Sequence, residues 1–386
     1  MGGRIEALVT DAHIHPSVWA IRAFGATGVR VRAMAPGRTA PGLWSRGAAS
    51  RTVAPGAERD PAGYAQAVAT LAEQEGPLVV YPAQEESIEA LLHAELPDTA
   101  VMPWPIDRLA AIRDKRRLAA LAEGVGIATP AGLCEATAAE LRTRSLDGPT
   151  VVKPVHKSGM PMVRVVRTAA ELRAAIAAVA DHEPLILQRH AEGDLVALVL
   201  LIARDGRPVA RIQQRTRRTW PPDAGASSLV VTEPVDEDLA AASVRMLAAA
   251  GFHGLVQLQF MVGDGPPQLI DANPRYYGSL SLALRSGVNL PALWHAVVTG
   301  ERLPSAPPRY ESGIFYRNVW LDLTAALHGD LGVLRRAPSP SVGAMWQSRD
   351  PATGAMLAAR AAFGYGRRQA ERIRRSAMPR HGAGGA

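Results

Sequence analysis

Short apolar runs alternate with segments of helical spacing over the first part of the chain. Apolar runs at residues 5–10, 29–34 and 77–82 predict strands, and the apolar spacing within residues 16–27 and 61–75 predicts helices. Strands that alternate with helices in this way are typical of βαβ units around a parallel sheet. We therefore expect a doubly wound α/β domain over residues 1–105.

From residue 106 onward the pattern is that of an α+β unit, with strands joined by turns and helices between them. Residues 106–125 are basic and strongly helical in pattern, and the run ending at Lys153 predicts a short buried strand. Thr168 and Glu171 have the spacing of a capping box at the start of a helix. The sequence thus predicts a mixed fold, α/β followed by α+β.

Two runs near residue 260 predict a hairpin that carries polar side chains on one face. Strand alternation places Gln257 and Gln259 together on one strand, and Asp271 and Asn273 together on the other. A solvent-facing sheet would also explain them, but the apolar residues between them indicate a packed hairpin. Burying such groups without partners is costly, so we favour a polar site. Their oxygens suit a hard cation such as Mg²⁺ and the phosphates that it bridges.

The charge composition adds a cationic cluster to this picture. The 386 residues carry 43 basic side chains and a net charge of +7, yet only three of the cations are lysines: Lys115, Lys153 and Lys157. In a chain so rich in arginine, a retained lysine either survives by chance or sits where a compact ammonium is needed. Their closeness in the sequence favours a shared site. Lysines facing a hairpin of oxygen ligands are a pattern that fits phosphoryl transfer.

Several classes of protein are excluded or disfavoured. No apolar run is long enough for a membrane span, the first residues lack a signal pattern, and we expect a cytoplasmic protein. The single cysteine excludes an internal disulfide framework, and the basic residues show no aromatic-interleaved stripe that would indicate nucleic-acid binding. The P-loop, GxSxG and kinase HRD motifs are absent. Two histidines in Asp11-Ala-His-Ile-His15 could bind a metal, but a satisfied loop is the preferred interpretation.

Several motifs in a fixed order resemble the ATP-grasp superfamily, most closely the carbamoyl-phosphate-synthase-like carboxylate–amine ligases. They are Asp114-Lys115, Val151-Val-Lys-Pro154 with Ser158-Gly159, Leu187-Gln188, the substrate loop from Arg215 to Ser228, and Leu269-Ile-Asp-Ala-Asn-Pro-Arg275. The resemblance implies an N-terminal doubly wound αβ domain followed by a two-lobed ATP-grasp fold. We expect a first domain at 1–105, a small lobe with its linking helix at 106–182, a large lobe at 183–304, and a helical extension at 305–386.

The resemblance also assigns a role to individual residues. Catalytic roles fall to Lys153, Arg218 and Arg275. ATP-binding roles fall to Lys115, Lys153, Lys157, Ser158, Gly159, Gln188, Arg189, His190 and Asp194. The implied ligands of Mg²⁺, or of Mn²⁺, are Gln259, Asp271 and Asn273, and the implied substrate contacts are Arg215, Arg218, Tyr276, Gly278 and Ser279.

The implied activity is that of a ligase that uses ATP to activate a small-molecule or peptide carboxylate as an acyl phosphate. An amine then attacks to form an amide; a homodimer is left open. Gln259 and Asp271 depart from the two glutamates usual at these positions. Met160 and Pro161 stand where the lid usually has glycines. The alternatives are a degenerate nucleotide-binding regulatory or interaction module, and a kinase-like or carboxylating ATP-grasp enzyme.

Overall fold

The computed structural model describes residues 5–155, 163–222, 224–335, 338–344, 346–356 and 358–359. Its first unit is a five-stranded parallel sheet in the order β3-β2-β1-β4-β5. The strands are β1 (Glu6–Val9), β2 (Val31–Ala35), β3 (Ser50–Val53), β4 (Leu78–Tyr81) and β5 (Ala100–Val101). The helices are α1 (His15–Gly25), α2 (Pro61–Glu75) and α3 (Glu85–Leu92), with a 3₁₀ turn at Pro41–Trp44. The predicted doubly wound α/β domain is confirmed.

Two helices, not one, link this domain to the rest. They are α4 (Ile106–Arg113) and α5 (Lys115–Glu123). The single predicted helix breaks at Asp114, whose side chain accepts hydrogen bonds from the backbone N–H groups of Arg116 and Arg117. An aspartate that caps the helix following it competes with continuation of the preceding one. The break places Lys115 at the start of α5.

The next unit is a four-stranded antiparallel sheet in the order β6-β9-β7-β8. Its strands are β6 (Cys134–Thr137), β7 (Thr150–Pro154), β8 (Arg164–Val166) and β9 (Pro184–Arg189). Helices α6 (Ala138–Leu141) and α7 (Ala169–Ala175) accompany it. The Thr168 hydroxyl accepts a hydrogen bond from the Glu171 N–H and so begins α7, as the capping pattern predicts.

The last unit is a seven-stranded sheet in the order β14-β13-β10-β11-β12-β15-β16. Its strands are β10 (Asp194–Ile202), β11 (Pro208–Trp220), β12 (Ala226–Glu233), β13 (Gly254–Val262), β14 (Gln268–Asn273), β15 (Phe315–Arg317) and β16 (Ser341–Gly343). Its helices are α8 (Glu237–Ala249), α9 (Leu280–Arg285), α10 (Leu290–Thr299) and α11 (Val319–Leu327), with a 3₁₀ turn at Leu331–Leu334. Strands β15 and β16 lie where the sequence predicts a helical extension, and they lengthen this sheet.

Register shifts interrupt the large sheet at several points, and two of them change the side chains of β14 and β11. Between β13 and β14, Ile270 has no opposite residue. Between β11 and β12, Arg217 on the first strand and Ser228 on the second have none. A bulge leaves backbone groups out of the ladder and turns side chains to a new direction. Both bulges therefore alter which residues face the space above the sheet.

Aromatic packing joins the first domain to the large sheet. The Trp294 ring lies 5.1 Å from that of Tyr81 and 5.3 Å from that of Tyr276, between ring centroids, and all three side chains are fully buried. Rings arranged in this way add to the apolar area that they remove from water. The contact fixes the first domain against the residues that follow β14. No helix in the described part of the chain is long and apolar enough to cross a membrane.

Candidate active site between the two antiparallel sheets

A cavity of about 660 Å³ lies between the four-stranded and seven-stranded sheets. Its floor is one face of the large sheet, because alternate residues of neighbouring strands line it. The floor residues include Leu195, Ala197, Gln214, Thr216, Gln257, Gln259 and Met261. Val151 and Lys153 of β7 and Val165 of β8 line it from the small sheet. Both sheets therefore contribute side chains to the cavity lining, as the resemblance implies.

The polar hairpin predicted from the sequence lies at one side of this floor. Gln257 is directly opposite Asn273, and Gln259 is directly opposite Asp271, so the four side chains form a square on one face. Gln257 and Asn273 are buried, and all four line the cavity. The alternation argument places these residues correctly. The packed hairpin, not a solvent-facing sheet, is the arrangement present.

Asp271 forms the anionic centre of the square. Its carboxylate accepts a short hydrogen bond from the Lys115 ammonium and one of 2.8 Å from the Ala272 N–H. Burial acts to raise the pKa of Asp271, but the ammonium groups of Lys115 and Lys153 outweigh it and hold that pKa below its usual value. Asp271 is therefore ionised, and a cation already occupies one of its oxygens.

Lys153 approaches the same point from the other lobe. Its ammonium donates to the Ile270 carbonyl at 3.1 Å, a group that belongs to the bulged residue. Burial lowers the pKa of Lys153 to about 8; Asp271 opposes this shift and Lys115 adds to it. A partly buried ammonium whose hydrogen bond within the described residues goes to one neutral carbonyl is poorly compensated. Polyanionic phosphate would supply the missing countercharge.

Arg275 lies next to the hairpin and lines the cavity. Its Nη2 donates to Asn273 Oδ1 at 3.0 Å, and its Nε donates to Glu85 Oε1 at 3.1 Å. Glu85 comes from α3 of the N-terminal domain, and no pattern in the sequence predicts its position here. A carboxylate at the first residue of a helix has no sequence signature that distinguishes it from a surface residue.

The predicted adenine end contains Gln188, Arg189 and His190, which line the cavity beside apolar side chains. Gln188 is buried on β9. The N–H groups of Arg189 and His190 donate to the carbonyls of Ala131 and Pro149, so these two donors are engaged within the protein. The apolar side chains at this end are Val151, Val163, Val165, Leu195, Met261 and Ile270. Such a lining suits the faces of a flat heterocycle.

The two predicted substrate arginines are both held by carboxylates of the protein. Arg215 donates to Glu233 at 2.8 Å and to Asp194 at 3.1 Å, and it does not line the cavity. Arg218 lines the cavity, and its Nη2 donates to Asp322 at 2.7 Å. Both guanidinium charges are therefore already balanced by carboxylates of the protein.

Arg217 is the more available cation at this end. The bulge turns it into the cavity together with its neighbours; half of its side chain is exposed, and its nearest carboxylate, Asp194, is 3.9 Å away. Simple alternation would put Arg217 on the opposite face from Arg218. Because a bulge depends on the pairing of both strands, β11 by itself did not show that Arg217 belongs to the site.

Residues 276–279, which follow the hairpin, place some side chains in the cavity lining and one in the core. Gly278 and Ser279 line the cavity, and Ser279 shares hydrogen bonds of 2.8 and 3.1 Å with the buried Gln214 amide. Tyr276, also predicted to contact substrate, is fully buried against the aromatic cluster and does not line the cavity. Its neighbour Tyr277 does line it. The tyrosines alternate in direction, so only Tyr277 faces the ligand space.

His15 reaches the cavity from the first domain. Its Nε2 lies 3.0 Å from the Gly278 carbonyl, and burial lowers the pKa of the imidazole to about 4, although that hydrogen bond opposes the shift. The carbonyl only accepts, so Nε2 carries the proton and donates. The interpretation of Asp11-Ala-His-Ile-His15 as a satisfied loop did not anticipate a contribution to the site. Lys157, Ser158 and Gly159 lie outside the described residues.

The hairpin fits a metal that arrives with phosphate. The described residues contain no group of three or more His, Cys, Asp or Glu side chains arranged around a metal position. The square offers one carboxylate, on Asp271, and three carboxamides. Mg²⁺ is commonly bound by one or two carboxylates together with substrate phosphates and water, not by an all-protein cage. These donors therefore fit phosphate-bridged Mg²⁺ and would hold the bare ion weakly.

Comparison with known proteins identifies the fold. Residues 182–319 match the family model described as ATP-grasp in the biosynthetic pathway with Ter operon. The biotin carboxylase domain of Hydrogenobacter thermophilus 2-oxoglutarate carboxylase, solved with MgADP, ADP and bicarbonate, superimposes with a TM-score of 0.61 at 14% identity. The match covers 81% of this chain and 74% of that one.

Two further solved structures share the architecture. An L-amino acid ligase from Bacillus licheniformis gives a TM-score of 0.58 at 18% identity, with coverage of 77% and 75% of the two chains. The N5-carboxyaminoimidazole ribonucleotide synthetase from Thermus thermophilus gives 0.56 at 19% identity, with coverage of 78% and 81%. The chain has the ATP-grasp fold, and the resemblance to the ATP-grasp superfamily is confirmed.

Proposed function

We propose that this chain is an ATP-dependent ligase that joins a carboxylate to an amine through an acyl phosphate. The observation that carries the proposal is the meeting of Lys115, Lys153 and Arg275 at the polar square, inside one cavity between the two lobes. Lys115 and Lys153 share one carboxylate, Asp271, and Arg275 is paired with Glu85, so an excess of positive charge remains at the square. A triphosphate is the ligand whose charge and length fit that excess beside an apolar end.

The two ends of the cavity suggest how the substrates lie. Adenine would occupy the apolar end near Gln188, and the phosphates would extend toward Lys153 and the square. Bound there, Mg²⁺ would neutralise charge on the β- and γ-phosphates through Asp271, Asn273 and Gln259. The acid would lie beyond the γ-phosphate, between Arg275 and Arg217. In this arrangement the protein supplies position and countercharge.

The proposed chemistry has two steps. A carboxylate oxygen attacks the γ-phosphorus, the bond to the β-phosphate oxygen breaks, and ADP leaves with that electron pair. The amine then attacks the acyl carbon, its nitrogen loses a proton to solvent, and inorganic phosphate leaves. Arg275 would stabilise the negative charge that builds on the transferring phosphoryl group.

Hydroxylamine provides a test that needs no knowledge of the natural amine. The purified chain would be incubated with ATP, Mg²⁺, hydroxylamine and a panel of carboxylic and amino acids, and hydroxamate and ADP would be measured. We expect one class of acid to give equal amounts of both products. ATP hydrolysis without hydroxamate for every acid, or incorporation of bicarbonate in place of the carboxylic acid, would reject the ligase.

A second function is favoured by one observation at the same square. Lys115 already neutralises Asp271, and Gln259 has no charge, so the site could bind nucleotide without turning it over. In that case the chain would be a nucleotide-binding regulatory or interaction module. Calorimetry would then show binding of a non-hydrolysable ATP analogue, while no acid in the panel gives ADP.

A further inference from the structure

The N-terminal domain holds the whole segment that carries Arg275. Three contacts anchor residues 274–278: the Trp104 indole N–H donates to the Pro274 carbonyl at 2.7 Å, the Tyr81 ring stacks on Tyr276 at 5.7 Å between centroids, and the His15 imidazole donates to the Gly278 carbonyl at 3.0 Å. This domain supplies little of the cavity wall. Its contribution is to hold residues 274–278, which follow β14, in place beside the polar square.

Glu85 fixes the guanidinium itself. Its Oε1 accepts from Arg275 Nε at 3.1 Å, while Nη2 donates to Asn273 and Nη1 donates to the Tyr276 carbonyl at 3.3 Å. The side chains of Arg275 and Glu85 are only 14% and 12% exposed. A planar guanidinium held at all three nitrogens has one orientation, and the Glu85 contact is the only charged one among them in the described structure.

The position of Glu85 is set by a strained residue. Glu85 is the first residue of α3, and the Asp11 carboxylate accepts from the N–H groups of Ala83 and Gln84 at 2.9 and 3.2 Å and from the Ser87 hydroxyl at 2.8 Å. Asp11 adopts a φ of 54°, an uncommon conformation for a residue with a Cβ. The backbone thus adopts an unfavourable conformation where Asp11 anchors the start of α3.

A second arginine keeps Glu85 in place. Arg113 donates from Nε to Glu85 Oε2 at 3.1 Å and from Nη2 to Glu89 at 2.6 Å. Glu85 therefore lies between two arginines, each on a different oxygen. Glu89 is on the same helix, one turn later, and shares Arg113, but it is 44% exposed and does not contact Arg275.

We propose that Glu85 is a positioning residue, which makes the N-terminal domain part of the machinery that stabilises the transferring phosphoryl group. The proposal rests on the proposed function. Glu85 acts through Arg275, orienting its terminal nitrogens toward the square before ATP binds. Preorganised charge of this kind lowers the barrier because no reorientation is needed during the reaction.

The test compares Glu85→Gln with Glu89→Gln in the full chain. Both changes remove one carboxylate charge from α3 and one partner of Arg113, but only the first loosens Arg275. We expect Glu85→Gln to reduce kcat for hydroxamate formation about 10- to 100-fold, as small misplacements of catalytic groups do. KM for ATP should stay close to that of the unaltered chain. The Tm should fall, because Arg275 loses its charged partner, so kcat is measured at a temperature where the variant is folded. Glu89→Gln should stay within about twofold of that chain in kcat, the range of an exposed ion pair.

A double-mutant cycle separates positioning from a merely structural role. In the Arg275→Ala background, adding Glu85→Gln should cause no further loss of kcat, because the group that Glu85 orients is gone. Equal losses in the two glutamine variants, or additive losses in the cycle, would overturn the proposal.

A readout without turnover keeps this test separate from that of the ligase. Affinity for ADP with aluminium fluoride, which mimics the transferring phosphoryl group, should fall about tenfold or more in Glu85→Gln, while affinity for a non-hydrolysable ATP analogue is retained. If that selective loss is found while no acid gives hydroxamate, the ligase fails and the positioning role stands. If both affinities are unchanged by Glu85→Gln, the positioning role fails whatever reaction is found.

Discussion

Cations at the two ends of the cavity are held in opposite ways. At the square, the one hydrogen-bond partner of Lys153 within the described residues is a backbone carbonyl, and burial keeps its pKa near 8. At the far end, Arg218 is paired with Asp322, a fully buried carboxylate that Arg317 also contacts at 2.6 Å. The first end is arranged to accept an anion, whereas the second is already compensated by the protein. Positively charged side chains in one cavity can therefore serve binding at one end and stability at the other.

The largest effect should come from the compensated end. Asp322→Asn leaves Arg218 and Arg317 without their shared charge partner, so unfolding free energy should fall by about 3–5 kcal/mol. Urea denaturation measures this. Affinity for an ATP analogue, measured at a temperature where the variant is folded, should be unchanged. A variant as stable as the unaltered chain would show that Asp322 does not compensate these arginines.

Lys153→Met should show the reverse pattern. Losing a charged contact to phosphate should weaken the affinity for an ATP analogue by about 30- to 100-fold, corresponding to about 2–3 kcal/mol for a charge-assisted hydrogen bond. Stability should be unchanged or higher, because a poorly compensated buried charge is removed. Calorimetry and urea denaturation check the two halves. Loss of stability with affinity retained would contradict this account of the square.

A change at Arg217 should have a smaller effect, limited to the second substrate. Arg217→Ala is expected to raise KM for the carboxylate about tenfold with stability retained, the weight of one hydrogen bond to a charged group. Arg215→Ala is the matched control, since that residue lies two positions away and contacts Glu233 instead of the cavity. Its KM should change little while its Tm falls. If Arg215→Ala raised KM and Arg217→Ala lowered the Tm instead, the substrate role would belong to Arg215.

The smallest effect is a dependence of nucleotide affinity on pH. Below pH 8 Lys153 carries its proton and attracts phosphate; as pH rises through 8 the free protein loses that proton, so affinity should fall, by up to about tenfold per pH unit. Bound phosphate raises the pKa of Lys153. The affinity therefore stops falling once the pH exceeds the pKa of Lys153 in the complex. The affinity of Lys153→Met, measured over the same range, should lack this component.

Much of the fold could be read from the sequence because it rests on local patterns. Alternation in β13 and β14 placed all four residues of the square, and the order of motifs placed the two lobes around it. The side chains that were missed depend on pairing between distant segments. Arg217 enters through a bulge, and Glu85 and His15 enter through packing of one domain on another. Tyr276 was assigned to substrate by resemblance, and only the buried aromatic cluster shows why Tyr277 faces the cavity instead.

The extra residue in β11 has a consequence for how this fold can diversify. Because Arg217 on β11 and Ser228 on β12 both lack an opposite residue, deleting one position from each strand would restore regular pairing and change which side chains of β11 face the cavity. The neighbouring strands, and with them the nucleotide end, would keep their register. The side chains at this end of the cavity can therefore change through the lengths of two neighbouring strands, with no substitution at Lys115, Lys153 or Asp271.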